Sequence, residues 1–221
     1  MFISIIIPIK NEPAIQALLF EIEATINQNH EIIVVDKSKE KLEVRGVQVI
    51  VQKSDGLGNA FVEGLSCAKG DVIALMDGDG SHRPEDLLHM LSYINQNDIV
   101  LGSKLIKGAK SCDTLGRRIV TLAFAWMTRL VLWIDIKDPM TGFMVARRNI
   151  FDNLRLNPRG FKIVIEIVYK SRGSVMEVPI SFRERQAGSS KAGFNMNGIK
   201  EMVRILGLLF ELKLGRIRGF W

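Results

Sequence analysis

Two near-continuous β-branched runs, Ile3 to Ile9 and Glu31 to Asp36 (EIIVVD), constrain the fold of this chain most. A strand with one wet face alternates apolar and polar residues. A run without alternation is buried on both faces, as in a parallel sheet covered by helices. Pro8 lies near the end of the first run, where a missing ladder donor costs little. Shorter strands are expected at Val47 to Val51, Asp71 to Met76 and Asp98 to Gly102. Three helices are expected between them. Asn11 is read as the cap of the first, which has Pro13 in its first turn and runs to about Asn29. Gly56-Leu57-Gly58-Asn59 opens the second, which runs to Lys69, and the third spans Pro84 to Gln96. Such alternation implies βαβ units with right-handed crossovers, hence an α/β class with a mostly parallel central sheet.

Beyond residue 102 the pattern loosens. Gly108 to Asp113 is small and polar and reads as a mobile loop. A long apolar helix (Arg117 to Ile134) follows, then a strand near Gly142 to Ala146, a helix around Phe161 to Ser171 and a strand from Val175 to Ile180. A Gly/Ser/Lys loop (Gln186 to Gly193) precedes a last helix from about Asn197. The organisation expected is one α/β domain over residues 1–193, including an interface helix at 115–134, and a basic amphipathic helix over 194–221.

Ligands of an open parallel sheet bind outside the carboxyl ends of its strands. Those ends collect Pro8, Lys10, Asn11 and Glu12, then Asp36, then Asp77-Gly78-Asp79, then Ser103 and Lys104. Asp77 and Asp79 suit a hard divalent cation, Mg²⁺ or Mn²⁺, which commonly bridges one or two carboxylates to substrate phosphates. A polar strand-to-helix turn would use the same residue types. Asp36 fits either a carboxylate that accepts hydrogen bonds from a nucleotide or a strand-terminal cap. Gly58 opens a helix whose amides would face an anion, though the sequence is neither a P-loop nor GxGxxG. His82 is a second-tier candidate for metal or phosphate, or a surface residue before Pro84. Arg117, Thr121, Arg185 and Lys191 would clamp phosphate or be solvated surface groups.

The formal net charge of +6 suits a phosphate-bearing partner. Cys67 and Cys112 form no CxxC, which argues against a disulfide framework or a zinc site. The N-terminus lacks a basic n-region and a cleavage site, so no signal peptide is expected. The longest apolar stretch, Ile119 to Ile134, carries Arg129 and is shorter than the roughly 20 residues of a spanning helix. Ile199, Met202, Val203, Leu206, Leu209 and Phe210 recur at helical spacing, with basic residues on the other side. Such a helix lies in a membrane interface or packs on the domain or a dimer partner.

In this order, IIIPIKNE, EIIVVD, GLGNAFVEGLSCAKGD, MDGDGSHRPE, GSK, RRIVT, DPMTGF, NPRGFKIVIEI, EVPISFRER and GSSK resemble the dolichyl-phosphate mannosyltransferases of glycosyltransferase family 2. The resemblance implies a GT-A (Rossmann-like) fold with C-terminal amphipathic interface helices. It implies metal-dependent inverting transfer of a hexose, mannose from GDP-mannose, to dolichyl or polyprenyl phosphate. Pro8, Glu12 and Asp36 match nucleotide-holding positions, and Asp77 and Asp79 the metal and diphosphate site. Arg117 and Thr121 match an arginine and a serine near the acceptor phosphate, and Arg185 and Lys191 the late basic positions. Lys104 stands where the family has arginine, Ser81 where a glutamine assists the metal, Ile9-Lys10 where Thr-Tyr is usual, and Lys37 where a second acid is usual. The implied partners are a nucleotide sugar, a lipid phosphate and the cytoplasmic face of a membrane, but no nucleic acid. Peripheral attachment, or a membrane-anchoring partner, is expected. The alternatives are a UDP-glucose-dependent polyprenyl-phosphate glucosyltransferase and a catalytically weak nucleotide-sugar-binding paralogue. A hydroxyl acceptor would need a general base, for which Asp138 is the candidate.

Overall fold

The computed structural model describes residues 1–39, 42–157, 163–183 and 206–215, with only the backbone of residue 117. A seven-stranded sheet forms the centre, in the order β3-β2-β1-β4-β7-β5-β8. Its strands are β1 (Ile3–Ile9), β2 (His30–Asp36), β3 (Gln48–Val51), β4 (Val72–Leu75), β5 (Ile99–Ser103), β7 (Met144–Arg147) and β8 (Val175–Pro179). β7 runs antiparallel to both its neighbours, β4 and β5. The other neighbouring pairs are parallel. A small second sheet pairs β6 (Lys110–Ser111) with β9 (Ser181–Phe182).

The absence of alternation in β1 has the expected cause. All seven of its residues are buried. Ile5 and Ile7 face α1 (Ile15–Thr25) and α3 (Pro84–Leu91), through Leu18, Ile22, Leu87 and Met90. Ile6 points the other way, onto Phe61 of α2 (Leu57–Cys67) and the layer that includes Ile163 and Ile167 of α5 (Ile163–Ser171). Successive strand side chains point to opposite faces, so each run must be apolar on both faces along most of its length to serve two helical layers. Gly64 of α2 lets the helix approach the sheet: a Cβ there would lie 2.6 Å from Ile6 Cγ2.

A third cluster lies outside the sheet. Phe124 and Leu132 of α4 (Leu115–Leu132) pack with Ile165 and Tyr169 of α5 and with Leu208, Leu209 and Leu212. The last three belong to a helix over residues 206–215, called α6. α4 and α6 therefore each press one face onto the domain.

Several boundaries differ from expectation. α1 starts at Ile15, not beside Asn11, and Ala14 at its N-cap makes no side-chain cap. Asn11 has φ 50° and its N–H donates to Ser38 Oγ at 2.7 Å, so its backbone is held by the β2 loop and cannot enter the helix. The 108–113 segment, expected to be a mobile loop, contains β6 instead. Its ladder to β9 is extended by Cys112 N–H donating to Phe182 O.

Candidate active site

Register fixes the level of each strand end. Ile9 lies opposite Asp36, and Ile6 lies opposite Leu75 on the other side of β1. Three residues beyond Leu75 is Gly78, level with Ile9, and a Cβ on Gly78 would lie 2.5 Å from Ile9 Cγ2. Only glycine permits that approach. Asp36, the β1–α1 turn (Lys10, Asn11, Glu12) and the Asp77-Gly78-Asp79 turn thus stand on one edge of the sheet.

On the nucleotide-side positions, Asp36 is 4% exposed and its Oδ1 accepts the Ser38 N–H at 2.7 Å. Pro8 is buried in β1, whereas Lys10 and Asn11 are exposed and Glu12 is half-buried, accepting the Ala14 N–H. Gly58 is buried in the first turn of α2. Lys37 follows Asp36, and residues 52–55 leave the parallel strand β3 on the same edge, Val51 lying opposite Asp36. The Lys37 Nζ reaches the carbonyls of Gln52, Lys53 and Ser54 and pairs with Asp55 at 3.2 Å, stitching β2 to the β3–α2 loop.

The acidic turn is tightly organised. Asp79 is 8% exposed, and its Oδ1 accepts both the N–H (3.0 Å) and the hydroxyl (2.5 Å) of Ser81, which is fully buried. Ser81 therefore orients the Asp79 carboxylate. Its carbonyl accepts the Arg183 N–H at 3.0 Å, pinning the chain after β9 against the turn. The Asp77 side chain is 26% exposed. Gly142 stands beside it, where a Cβ would lie 3.4 Å from Asp77 Oδ1, so that wall carries no side chain. Among the described residues no group of three or more His, Cys, Asp or Glu side chains forms a cage for a metal ion. Two carboxylates on an open edge fit a hard cation that completes its shell with water and phosphate oxygens.

His82 lies behind the turn, 3% exposed. Its ring stacks on Phe143 (centroids 4.4 Å apart, planes within 10°) and meets the edge of Phe182. Nδ1 accepts the Asp77 N–H at 3.1 Å, and Nε2 lies 3.9 Å from Asp77 Oδ2. Burial depresses the imidazole pKa and outweighs the opposing pull of Asp77 and Asp79. Because Nδ1 accepts the Asp77 N–H, the hydrogen-bond pattern assigns the ring proton to Nε2.

Lys104 follows β5. Its Nζ pairs with Asp113 and lies 4.7 Å from the Phe182 ring centre. Its N–H donates to Asp138 Oδ2 at 3.0 Å, and Asp138, 1% exposed, is held in turn by Glu177. Asp138 thus braces the start of the Lys104 loop from inside the protein. Arg117 and Thr121 lie on the first turns of α4, Thr121 half-buried. Arg185 and Lys191 fall outside the described residues. Sequence reasoning left His82 and Asp138 at the margin, because their burial is created by Phe143, Phe182 and Glu177 from distant elements.

α4 presents a continuous outer stripe. Leu115, Ile119, Leu122, Trp126 and Leu130 are exposed along it, Trp126 by 68%, and Trp133, the residue directly after the helix end, is exposed by 82%. Phe210 and Leu214 of α6 are also exposed, and Lys213 Nζ sits 4.5 Å from the Trp133 ring centre. Among the described residues no helix is long and apolar enough to cross a membrane.

Residues 4–155 match the sequence model of Glycosyl transferase family 2. The dolichol-phosphate mannosyltransferase of Pyrococcus furiosus is 36% identical over 208 residues, 86% of this chain and 59% of that protein. The undecaprenyl-phosphate mannosyltransferase of Micrococcus luteus is 30% identical over 62% of this chain and 60% of its own length. The chain therefore spans about three-fifths of the length of these relatives. Mannosyl-3-phosphoglycerate synthase from Rubrobacter xylanophilus superposes with a TM-score of 0.72 at 17% identity, over 99% of this chain and 75% of its own. Glucosyl-3-phosphoglycerate synthase from Mycobacterium tuberculosis, solved with Mn²⁺, uridine diphosphate and glucosyl-3-phosphoglycerate, gives 0.67 at 20% identity, over 93% and 78%. These neighbours share the GT-A architecture. On its matched sequence and on its fold, the chain belongs to glycosyl transferase family 2.

Proposed function

We propose that this chain is the catalytic unit of a metal-dependent, inverting mannosyltransferase that uses GDP-mannose and a dolichyl or polyprenyl phosphate. One observation carries the reading: the strand register sets Asp36, Asp77 and Asp79 on one edge, and the Lys104–Asp113 pair ties that edge to the apolar helix α4. The names of the two relatives support the same donor sugar and lipid acceptor.

In this reading the Asp36 carboxylate accepts hydrogen bonds from the nucleoside, with Pro8, Lys10, Asn11, Glu12 and Gly58 lining the same edge. Asp77 and Asp79 would hold Mg²⁺ or Mn²⁺, with Ser81 fixing the Asp79 carboxylate. A divalent cation there neutralises charge that develops on the departing diphosphate. Lys104, Arg117, Arg185 and Lys191 orient the two phosphates, and the Thr121 hydroxyl donates to the acceptor phosphate. A phosphate oxygen of the lipid attacks the anomeric carbon while the bond to the diphosphate oxygen breaks. The nucleophile is already anionic near neutral pH, so positioning and electrostatics suffice without a general base. Asp138, buried and committed to the Lys104 backbone, fits this division of labour.

The acceptor's lipid tail requires an apolar surface at the site. The outer stripe of α4, with Phe210 and Leu214, lies in the interface of the cytoplasmic leaflet, where Trp side chains favour the headgroup level.

The test is incubation with labelled GDP-mannose, a polyprenyl phosphate and Mn²⁺, followed by extraction into organic solvent. A labelled lipid that disappears with EDTA is expected. Product from UDP-glucose alone would reassign the sugar, and donor binding without any lipid product would leave a binding paralogue and overturn the transferase reading.

A further inference from the structure

We propose that His82 is a positioning residue for the cation site, acting as the acceptor that fixes the backbone of Asp77. The inference rests on the donor-site reading above and assigns a role to a residue which that reading leaves idle.

The turn from Asp77 to His82 is tied at each polar point. Ser81 holds the Asp79 carboxylate, and Arg183 holds the Ser81 carbonyl. Asp77 follows Met76, whose N–H donates to Ile6 O in the last bond between β4 and β1. Its own N–H lies beyond that ladder and would be left without a strand partner. His82 Nδ1 supplies the acceptor from the far end of the same turn, at 3.1 Å. The two ends of a six-residue turn carrying both carboxylates are thus closed on each other by one side chain.

The ring cannot drift from that position. Phe143 covers one face, Phe182 contributes its edge, and the side chain is 3% exposed. With Nδ1 engaged and Nε2 carrying the proton, neither nitrogen offers a lone pair to a cation. The ring is therefore no ligand. Nε2–H faces the Asp77 carboxylate at 3.9 Å, beyond hydrogen-bond range, and leaves the carboxylate oxygens available. Phe143 immediately precedes β7 and Phe182 lies in β9, so His82 also couples the turn to both sheets. Groups that orient metal ligands typically change metal affinity about 10- to 100-fold when removed.

The experiment compares His82→Asn, His82→Gln and His82→Phe in Mn²⁺ binding with GDP present, read from the electron paramagnetic resonance signal of free Mn²⁺. Circular dichroism melts serve as the control for folding. Asn places an amide oxygen where Nδ1 stands and keeps the acceptor. Gln keeps a polar group at the Nε2 position and loses the acceptor, and Phe keeps only the ring. The expected order of affinity is wild type, then Asn, then Gln and Phe, with Phe weaker than wild type by about tenfold. Wild-type affinity in the Phe variant, or Gln equal to or tighter than Asn, would overturn the assignment; the Asn–Gln comparison stands even if the Phe protein fails to fold. Failure of the wild type to bind Mn²⁺ with either GDP or UDP would sink the donor-site reading itself, a separate outcome.

Discussion

The ammonium of Lys104 is paired with the carboxylate of Asp113, joining the loop after β5 to the segment that leads into α4. Both side chains are mostly shielded, at 19% and 11% exposure, so the pair is not an ordinary surface contact. A cation already engaged by a carboxylate has less to offer an incoming phosphate. Lys104→Ala is expected to raise the KM for the lipid phosphate about tenfold, the lower end of what a hydrogen bond to a charged group contributes. Asp113→Asn should lower that KM. Initial rates over a series of acceptor concentrations check both signs, and a raised KM in Asp113→Asn would exclude competition between the two anions.

Asp79→Asn keeps the shape of the side chain and removes its charge. The hydroxyl and N–H of Ser81 would still find an oxygen, so the turn should fold unchanged. Turnover is expected to fall by more than about 100-fold, since loss of a direct ligand should exceed loss of a supporting group. Ser81→Ala should be milder, about tenfold, and partly recovered by higher Mn²⁺. Metal titrations of initial rate separate the two variants.

Trp126 on the solvent side of α4 and Trp133 directly after its end make the outer stripe markedly apolar. Replacing both by Glu should leave the melting temperature nearly unchanged, because neither ring is in the packed cluster around Phe124. Binding to vesicles of anionic phospholipid should drop by at least tenfold, given about 1.5–3 kcal/mol for each large apolar side chain removed from water. Co-sedimentation with vesicles measures it. Unaltered sedimentation would show that this stripe does not touch lipid.

Glu166 and Lys170 form a buried ion pair at 2.7 Å within α5. Glu166 also accepts the Asn157 N–H, and Lys170 donates to Arg155 O, so the pair fixes the chain that precedes α5. Lys170→Met leaves a carboxylate buried without its cation. The expected cost is about 3–5 kcal/mol, or roughly 6–20 °C at about 2–4 °C per kcal/mol. Replacing both residues by Leu should restore much of the loss. Thermal melts of the three proteins decide it.

The sheet was legible because burial on both faces leaves a plain mark: Ile3 to Ile9 and Glu31 to Asp36 each match a strand within a residue. The grouping of Asp36, Asp77 and Asp79 followed from that sheet. Direction was not legible. Nothing in Met144 to Arg147 reveals a strand opposed to its neighbours, since a two-residue period has no polarity. The pairing of Lys110–Ser111 with Ser181–Phe182 was hidden because two residues are too few for a period and the partners are about 70 positions apart. Lys37 read as a departure within the nucleotide site. Its long stem carries the charge to the carbonyls of residues 52 to 54, which follow β3 on that same edge, a destination that only folding supplies. Asn11 had the chemistry of a cap, but a hydrogen bond to Ser38 decided its backbone first.

The inverted course of β7 has a consequence for how the chain tolerates change. The parallel strands bring to the ligand edge the residues that leave them, whereas β7 brings the residues that enter it, Thr141 to Phe143. Thr141 is fastened there by its hydroxyl to Gly102 O at 2.6 Å, and Gly142 stands against Asp77. The connection from α4 is thereby held in place where it meets β7. One added residue would turn Met144 and Val145 to the wrong layers and push a side chain toward the acids, so this stretch should resist insertions that the solvent-facing loop around Arg45 and Gly46 would absorb.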